Sequence, residues 1–128
     1  MAHWLKLGET PGAKLPKIFY VNWFRKNGDG KFMWPGYAEN SRVLKWIFER
    51  CDGTAKAVDT AIGKLPADGS LDVSGLKIAP SDLKELTSVD KDGWKAELPL
   101  IKEHFATFGS KLPKALIEEL SALEKRLS

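Results

Sequence analysis

Three aromatic rings and one amide stand close together in the first half of this 128-residue chain: Phe24, Phe32, Tyr37 and Asn40. Phe24 ends the run IFYVNWF, and Phe32 follows the stretch NGDG. Tyr37 follows Pro35-Gly36, and Asn40 stands where a helix can begin. Such a set can recognise a flat base. Stacking on an aromatic ring contributes roughly 1–3 kcal/mol per base. A neighbouring asparagine can donate to the O6 acceptor of guanine, where adenine carries an amino donor. The same rings can instead form a plain aromatic core, and for these residues taken alone the core is the simpler account.

The charge distribution bears on that choice. Residues 14–50 hold nine of the thirteen aromatic residues. Residues 1–50 also carry nine Lys/Arg against four Asp/Glu, whereas residues 51–128 carry eleven against thirteen. An aromatic and basic half suits an anionic flat ligand such as a nucleotide, although cations at this density also suit an ordinary solvated surface.

Bond-making chemistry finds no comparable signal. His3 and His104 are far apart in sequence and there is no cysteine pair, so no spacing resembles a zinc or two-metal site. Cys51 is the single cysteine and reads as packing or surface. The sequence has no Gly-x-Ser-x-Gly turn. NGDGKF is glycine-rich but does not follow the G-x-x-x-x-G-K-[ST] phosphate-loop template.

The elements that must position the rings are legible in outline. Ile18–Phe24 is rich in β-branched and aromatic residues and predicts a strand, with Phe19, Val21 and Trp23 on one face and Ile18, Tyr20, Asn22 and Phe24 on the other. Both faces are largely apolar, so the strand is expected to be covered on both sides. Asn27-Gly28 and Asp29-Gly30 favour a tight turn, and residues 31–34 then form the returning strand of a hairpin. Asn40 or Ser41 is expected to cap a helix that buries Val43, Leu44, Ile47 and Phe48, with Trp46 at its flank and Gly53 at its end.

Residues 54–79 read as loop with short extended pieces. Pro80 can start a short helix with Leu83 and Leu86 inward. Trp94, Leu98, Ile101, Phe105 and Phe108 line one face of a long helix. Pro99 inside it costs roughly 3 kcal/mol and predicts a kink or break near Leu98. Leu116, Leu120, Leu123 and Leu127 are in register on a last helix. The start, HWLKLGE, reads as a helical turn with His3, Trp4 and Leu5 buried, an odd beginning that suggests a chain cut from something longer.

Length and composition fit one domain, and no apolar run approaches the ~20 residues that span a bilayer. The N-terminus lacks the charged-then-apolar order of a secretion signal, and a lone thiol fits a reducing, cytoplasmic compartment. The expected architecture is α+β: a small β-hairpin or sheet piece with about four helices, a fragment of a larger α/β nucleotide-binding domain. Its parts are 14–53 (the pocket segment), 54–79 (a loop-rich linker) and 80–128 (a helical tail).

The run LPKIFYVNWFRKNGDGKFMWPGYAENSRVLKWIFER resembles the C-terminal portion of GTP-dependent phosphoenolpyruvate carboxykinases, nearest the bacterial type. The similarity continues through AIGKLPADGSLDVSGL, SVDKDGWKAEL and LPKALIEELSALEKRL and covers residues 3–128. It implies an enzyme that converts oxaloacetate and GTP to phosphoenolpyruvate, GDP and carbon dioxide in gluconeogenesis. It also implies that Phe24, Phe32, Tyr37 and Asn40 build the guanine pocket. The family pattern usually has Phe-Gly where this chain has Tyr37-Ala38. Tyrosine keeps the stacking face and adds a hydroxyl that needs a partner or water, and Ala38 would be strained if its position required positive φ.

In the family the phosphate-binding loop, the manganese ligands, the substrate arginines and the mobile lid lie upstream of this motif. The resemblance therefore implies GTP/GDP as substrate and product. It also implies Mn2+ or Mg2+ held by ligands outside this chain, the missing N-terminal part of the same enzyme as partner, and a monomeric parent. No catalytic residue and no metal ligand is assigned here, and neither a membrane nor a nucleic acid is expected as partner. The alternative is a non-catalytic aromatic and basic module for single-stranded nucleic acid, with strong salt dependence and little choice between mononucleotides.

Overall fold

The computed structural model describes residues 2–128, and the chain divides into two compact units. One is residues 17–88. The other is residues 1–16 together with 89–128.

In the 17–88 unit, a helix over Asn40–Asp52 is the main scaffold, here α2, since a short α1 precedes it at Ala2–Gly8. Gly53 ends α2 in the left-handed region at φ 81°, where a side chain would be strained. Lys17 Nζ supplies donors to the last carbonyls, at 2.6 Å from Arg50 O and 3.0 Å from Cys51 O. Neither proposed cap forms. Ser41 Oγ donates to Ala38 O at 3.2 Å, and Asn40 turns its side chain to Trp34 instead. The buried face also differs from expectation. Trp46 is the buried residue of α2, Val43 and Ile47 are half-buried, and Leu44 and Phe48 are exposed. Trp46 wins the inward position because its indole has polar partners there: Nε1 donates to Ser70 Oγ at 3.1 Å and to Lys56 O at 3.4 Å.

That contact fastens the segment after α2, which holds the one regular sheet among the described residues. β1 (Ala57–Thr60) pairs antiparallel with β2 (Gly63–Pro66), in the register Ala57↔Pro66 to Thr60↔Gly63. Asp59 and Lys64, directly opposite, form an ion pair at 2.5 Å. Arg50 Nη1 donates to Ala55 O at 2.7 Å and holds the strand start against the helix end. α3 (Pro80–Leu86) begins on its proline and half-buries Leu83 and Leu86, as the spacing predicts.

The predicted hairpin over residues 18–34 is reduced to its turn. Asn27 Oδ1 accepts from the amides of Asp29 and Lys31, Gly30 adopts φ 77°, and one isolated bridge joins Lys26 to Phe32. Residues 17–22 are not a strand. Within the described residues nothing pairs with the backbone of residues 15–23, and a β-ladder needs a partner edge. The alternation nevertheless survives: Phe19, Val21 and Trp23 are half-buried, while Ile18 and Tyr20 are 92% and 96% exposed. One face is therefore open, not covered. Of the inward residues Phe19 meets α2, packing edge-on against Trp46 at 6.2 Å between centroids.

In the other unit, α4 (Lys91–Ala106) packs on α5 (Lys114–Leu127). Asp90 caps α4 by accepting from Gly93 N at 2.9 Å. Of the kink or break expected near Leu98, the break does not occur: the helix continues through Pro99. The lost backbone bond is tolerated where Leu98 is buried beside the proline and the amphipathic face is packed. Leu120 and Leu127 are buried with Leu116 and Leu123 beside them, and Lys102 pairs with Glu124 between the helices. His3 and Trp4 are exposed and only Leu5 is half-buried, against the expectation of a buried start.

Candidate functional site

The four candidate residues all lie in the 17–88 unit, on three pieces of local structure. Phe24 follows a turn in which its own amide donates to Asn22 Oδ1 at 3.0 Å. Phe32 sits on the bridge across from Lys26, where Met33 N donates to Arg25 O at 3.0 Å. The NGDG turn thus folds the chain back so that the Phe24 and Phe32 rings meet, with centroids 6.1 Å apart and planes inclined at 63°. This is an edge-to-face pair, which leaves ring faces open. Phe24 is 73% exposed and Phe32 58%. Lys26 Nζ lies 5.1 Å from the Phe32 centroid, over its ring. One face of Phe32 thus carries a cation, and a base would use the other.

Tyr37 and Asn40 come from the chain between the bridge and α2. Gly36 takes φ 121°, a conformation that favours glycine, and turns the backbone into a 3-10 turn over Tyr37–Glu39. Tyr37 is 93% exposed and makes no ring contact with Phe24 or Phe32 among the described residues. Its hydroxyl is left to water. Ala38 lies inside the turn, and no non-glycine residue described has positive φ, so the strain considered for it does not arise. Asn40 is half-buried at the first position of α2, with Oδ1 accepting from Trp34 Nε1 at 3.0 Å. The structure therefore brings together two pairs, Phe24 with Phe32 and Trp34 with Asn40, and leaves Tyr37 projecting into solvent.

Trp34 is the residue that residue types alone do not bring forward. It reads as one more ring in an aromatic run, yet it is buried beside Met33 and touches the amide of the site. The available signal is the spacing W-P-G-x-x-x-N, a tight turn that returns the chain to the indole edge.

Two hollows of this unit lie away from the four candidate residues. One is lined by Glu49, Thr54, Lys56 and Ser70, the other by Arg42, Lys45, Trp46 and Asp72. The cations of the second are engaged: Arg42 pairs with Glu39 at 2.6 Å and Asp72 at 3.4 Å, and Lys45 with Asp72 at 3.8 Å. Among the described residues no group of three or more His, Cys, Asp or Glu is placed to hold a metal.

A family model described as the phosphoenolpyruvate carboxykinase C-terminal P-loop domain matches residues 1–126. The chain belongs to this family. It is similar to the phosphoenolpyruvate carboxykinase (GTP) of Treponema pallidum (strain Nichols), with 53% identity over 129 residues, 99% of this chain and 21% of that protein. The phosphoenolpyruvate carboxykinase (GTP) of Neocallimastix frontalis is 53% identical over 127 residues, 98% of this chain and 21% of the relative. The cytosolic enzyme of that name from Gallus gallus is 49% identical over 128 residues, 99% and 20% respectively. The chain thus spans about a fifth of the length of the curated relatives it matches. No helix among the described residues is long and apolar enough to cross a membrane.

Proposed function

We propose that this chain supplies the guanine-binding part of a GTP-dependent phosphoenolpyruvate carboxykinase, with Phe24, Phe32 and Tyr37 as stacking rings and Asn40 reading the base edge. The observation that carries it is the open Phe24–Phe32 pair, held by the Lys26–Phe32 bridge in the same unit as the half-buried amide of Asn40. Adjacent exposed rings form a contiguous apolar patch, and such a patch suits a ligand or partner surface.

In the whole enzyme the reaction removes carbon dioxide from oxaloacetate and passes the terminal phosphoryl group of GTP to the resulting enolate oxygen. The part played here is to bind and orient. Gripping the base fixes where the phosphates fall, and position alone removes much of the barrier to phosphoryl transfer. Residues 14–53 carry the pocket, 54–79 connect, and 80–128 form the helical tail of a larger α/β domain. The phosphate cradle, the Mn2+ or Mg2+ ligands and the substrate groups belong to the rest of the monomeric, cytoplasmic enzyme, which is this chain's partner.

Titrating tryptophan fluorescence with GDP, ADP and a short oligonucleotide tests the proposal, since Trp23 and Trp34 neighbour the rings. Preference for GDP is expected. Equal response to all mononucleotides with tight, salt-sensitive oligonucleotide binding would transfer the chain to the single-strand-binding class. The 128 residues by themselves are expected to turn over no oxaloacetate with GTP, and measurable turnover would refute the division of labour.

A further inference from the structure

Trp34 and Asn40 form one unit of recognition. The indole N–H is a donor with no acceptor capacity, and Oδ1 is the sole acceptor on the asparagine side chain. The 3.0 Å bond between them therefore fixes which way the carboxamide faces. Oδ1 is turned to the indole, and Nδ2 is turned away from it. No hydrogen bond among the described residues engages Nδ2, and no buried side-chain nitrogen or oxygen is left unsatisfied, so Nδ2 is open to solvent. The opposite orientation would set the NH2 against the indole N–H, donor against donor. Trp34 is 7% exposed, so water has little access to relieve that conflict.

We infer that Trp34 is a positioning residue that sets the polarity of Asn40. By holding the amide oxygen it commits the site to presenting a donor. A donor accepts a purine with an oxygen at C6 and rejects one with an amino group there. Discrimination between guanine and adenine then resides in a pair of side chains, one of which never touches the base. The inference rests on the guanine reading of the site and adds the residue that decides the sense of selection.

Trp34→Phe keeps a large ring and removes the N–H. Isothermal titration with GDP, IDP and ADP reads the effect. In the parent chain GDP and IDP, both 6-oxo purines, are expected to bind more tightly than ADP. In Trp34→Phe the amide is free to turn, and the GDP-to-ADP affinity ratio is expected to fall roughly tenfold, with ADP gaining as GDP loses. A merely structural role would weaken both nucleotides together and leave the ratio unchanged, which would overturn the inference while the guanine reading stood. Asn40→Asp gives a second variant: its carboxylate still accepts from Trp34 but presents only acceptors, so the ratio is expected to shift toward ADP.

If the parent chain binds neither purine, the guanine reading fails, and the Trp34 indole proton decides the positioning claim independently. In amide-resolved NMR that proton is expected to be protected from exchange and to lose protection in Asn40→Ala. Equal exchange in both proteins would overturn the claim.

Discussion

At the scale of residues, the proposed site divides affinity from choice. Phe24 and Phe32 meet edge-on and offer faces, and a face binds any base. Phe24→Ala is expected to weaken GDP and ADP alike, by the roughly 1–3 kcal/mol that one stacked base contributes, or about 5- to 150-fold in dissociation constant. Asn40→Ala is expected to leave stacking intact and erase the preference for GDP over ADP. Competition titrations of the two variants side by side check both claims. Loss of preference in Phe24→Ala with affinity intact would reverse the assignments. Tyr37, 93% exposed and with no ring contact to Phe24 or Phe32 among the described residues, is proposed to contribute only once a base lies against it.

At the scale of elements, α2 organises the 17–88 unit through its polar contacts as much as its apolar ones. Trp46 ties it to Ser70, and Arg42 and Lys45 reach Asp72. Asp72 is also the acceptor of its own turn, taking the Ser74 hydroxyl at 2.6 Å and the Ser74 amide at 3.1 Å. Those bonds, hydroxyl first and amide second, with Arg42 and Lys45 adding to them, hold its carboxyl below the ordinary value of 3.8. A carboxyl with a folded-state pKa below its unfolded value stabilises the fold fully above the unfolded value and loses that contribution as pH falls through the folded one. Asp72→Asn is therefore expected to be slightly less stable than the parent chain at neutral pH, with the gap closing below about pH 4. The effect is small because the group is exposed and screened. Urea unfolding of both proteins at pH 7 and pH 3 measures it, and a gap that does not narrow between the two would exclude the carboxylate charge as its source.

At the scale of the molecule, residues 17–22 leave one face open. Ile18 and Tyr20 stand almost wholly in solvent, and the backbone between Pro16 and Phe24 pairs with nothing described. Within this chain those amides are expected to exchange with solvent almost without protection, in contrast to the slow amides of α2. In a full-length carboxykinase carrying this sequence at its C-terminal end, the same amides are expected to become slow as the segment gains a strand partner. Fast exchange there would deny it a place in a larger sheet.

What could be read in advance followed from local physics. Gly53 ends α2 because only glycine takes its left-handed conformation freely. Asn27 and Gly30 make their turn from their own side chain and backbone. The leucine spacing of α5 has one packed face available to it. The quartet Phe24, Phe32, Tyr37 and Asn40 is proposed from the family motif, and of its members the fold joins only the Phe24 and Phe32 rings in direct contact. Tertiary structure alone decided the rest. Ile18–Phe24 has every strand propensity and no strand, because a ladder needs a second edge that no propensity supplies. Trp46 displaced Leu44 and Phe48 from the interior because Ser70 and Lys56 were there to accept its N–H. The direction of the Asn40 amide, on which the choice of base is proposed to turn, depends on a hydrogen bond from Trp34, and only the folded turn at Pro35-Gly36 brings the two together.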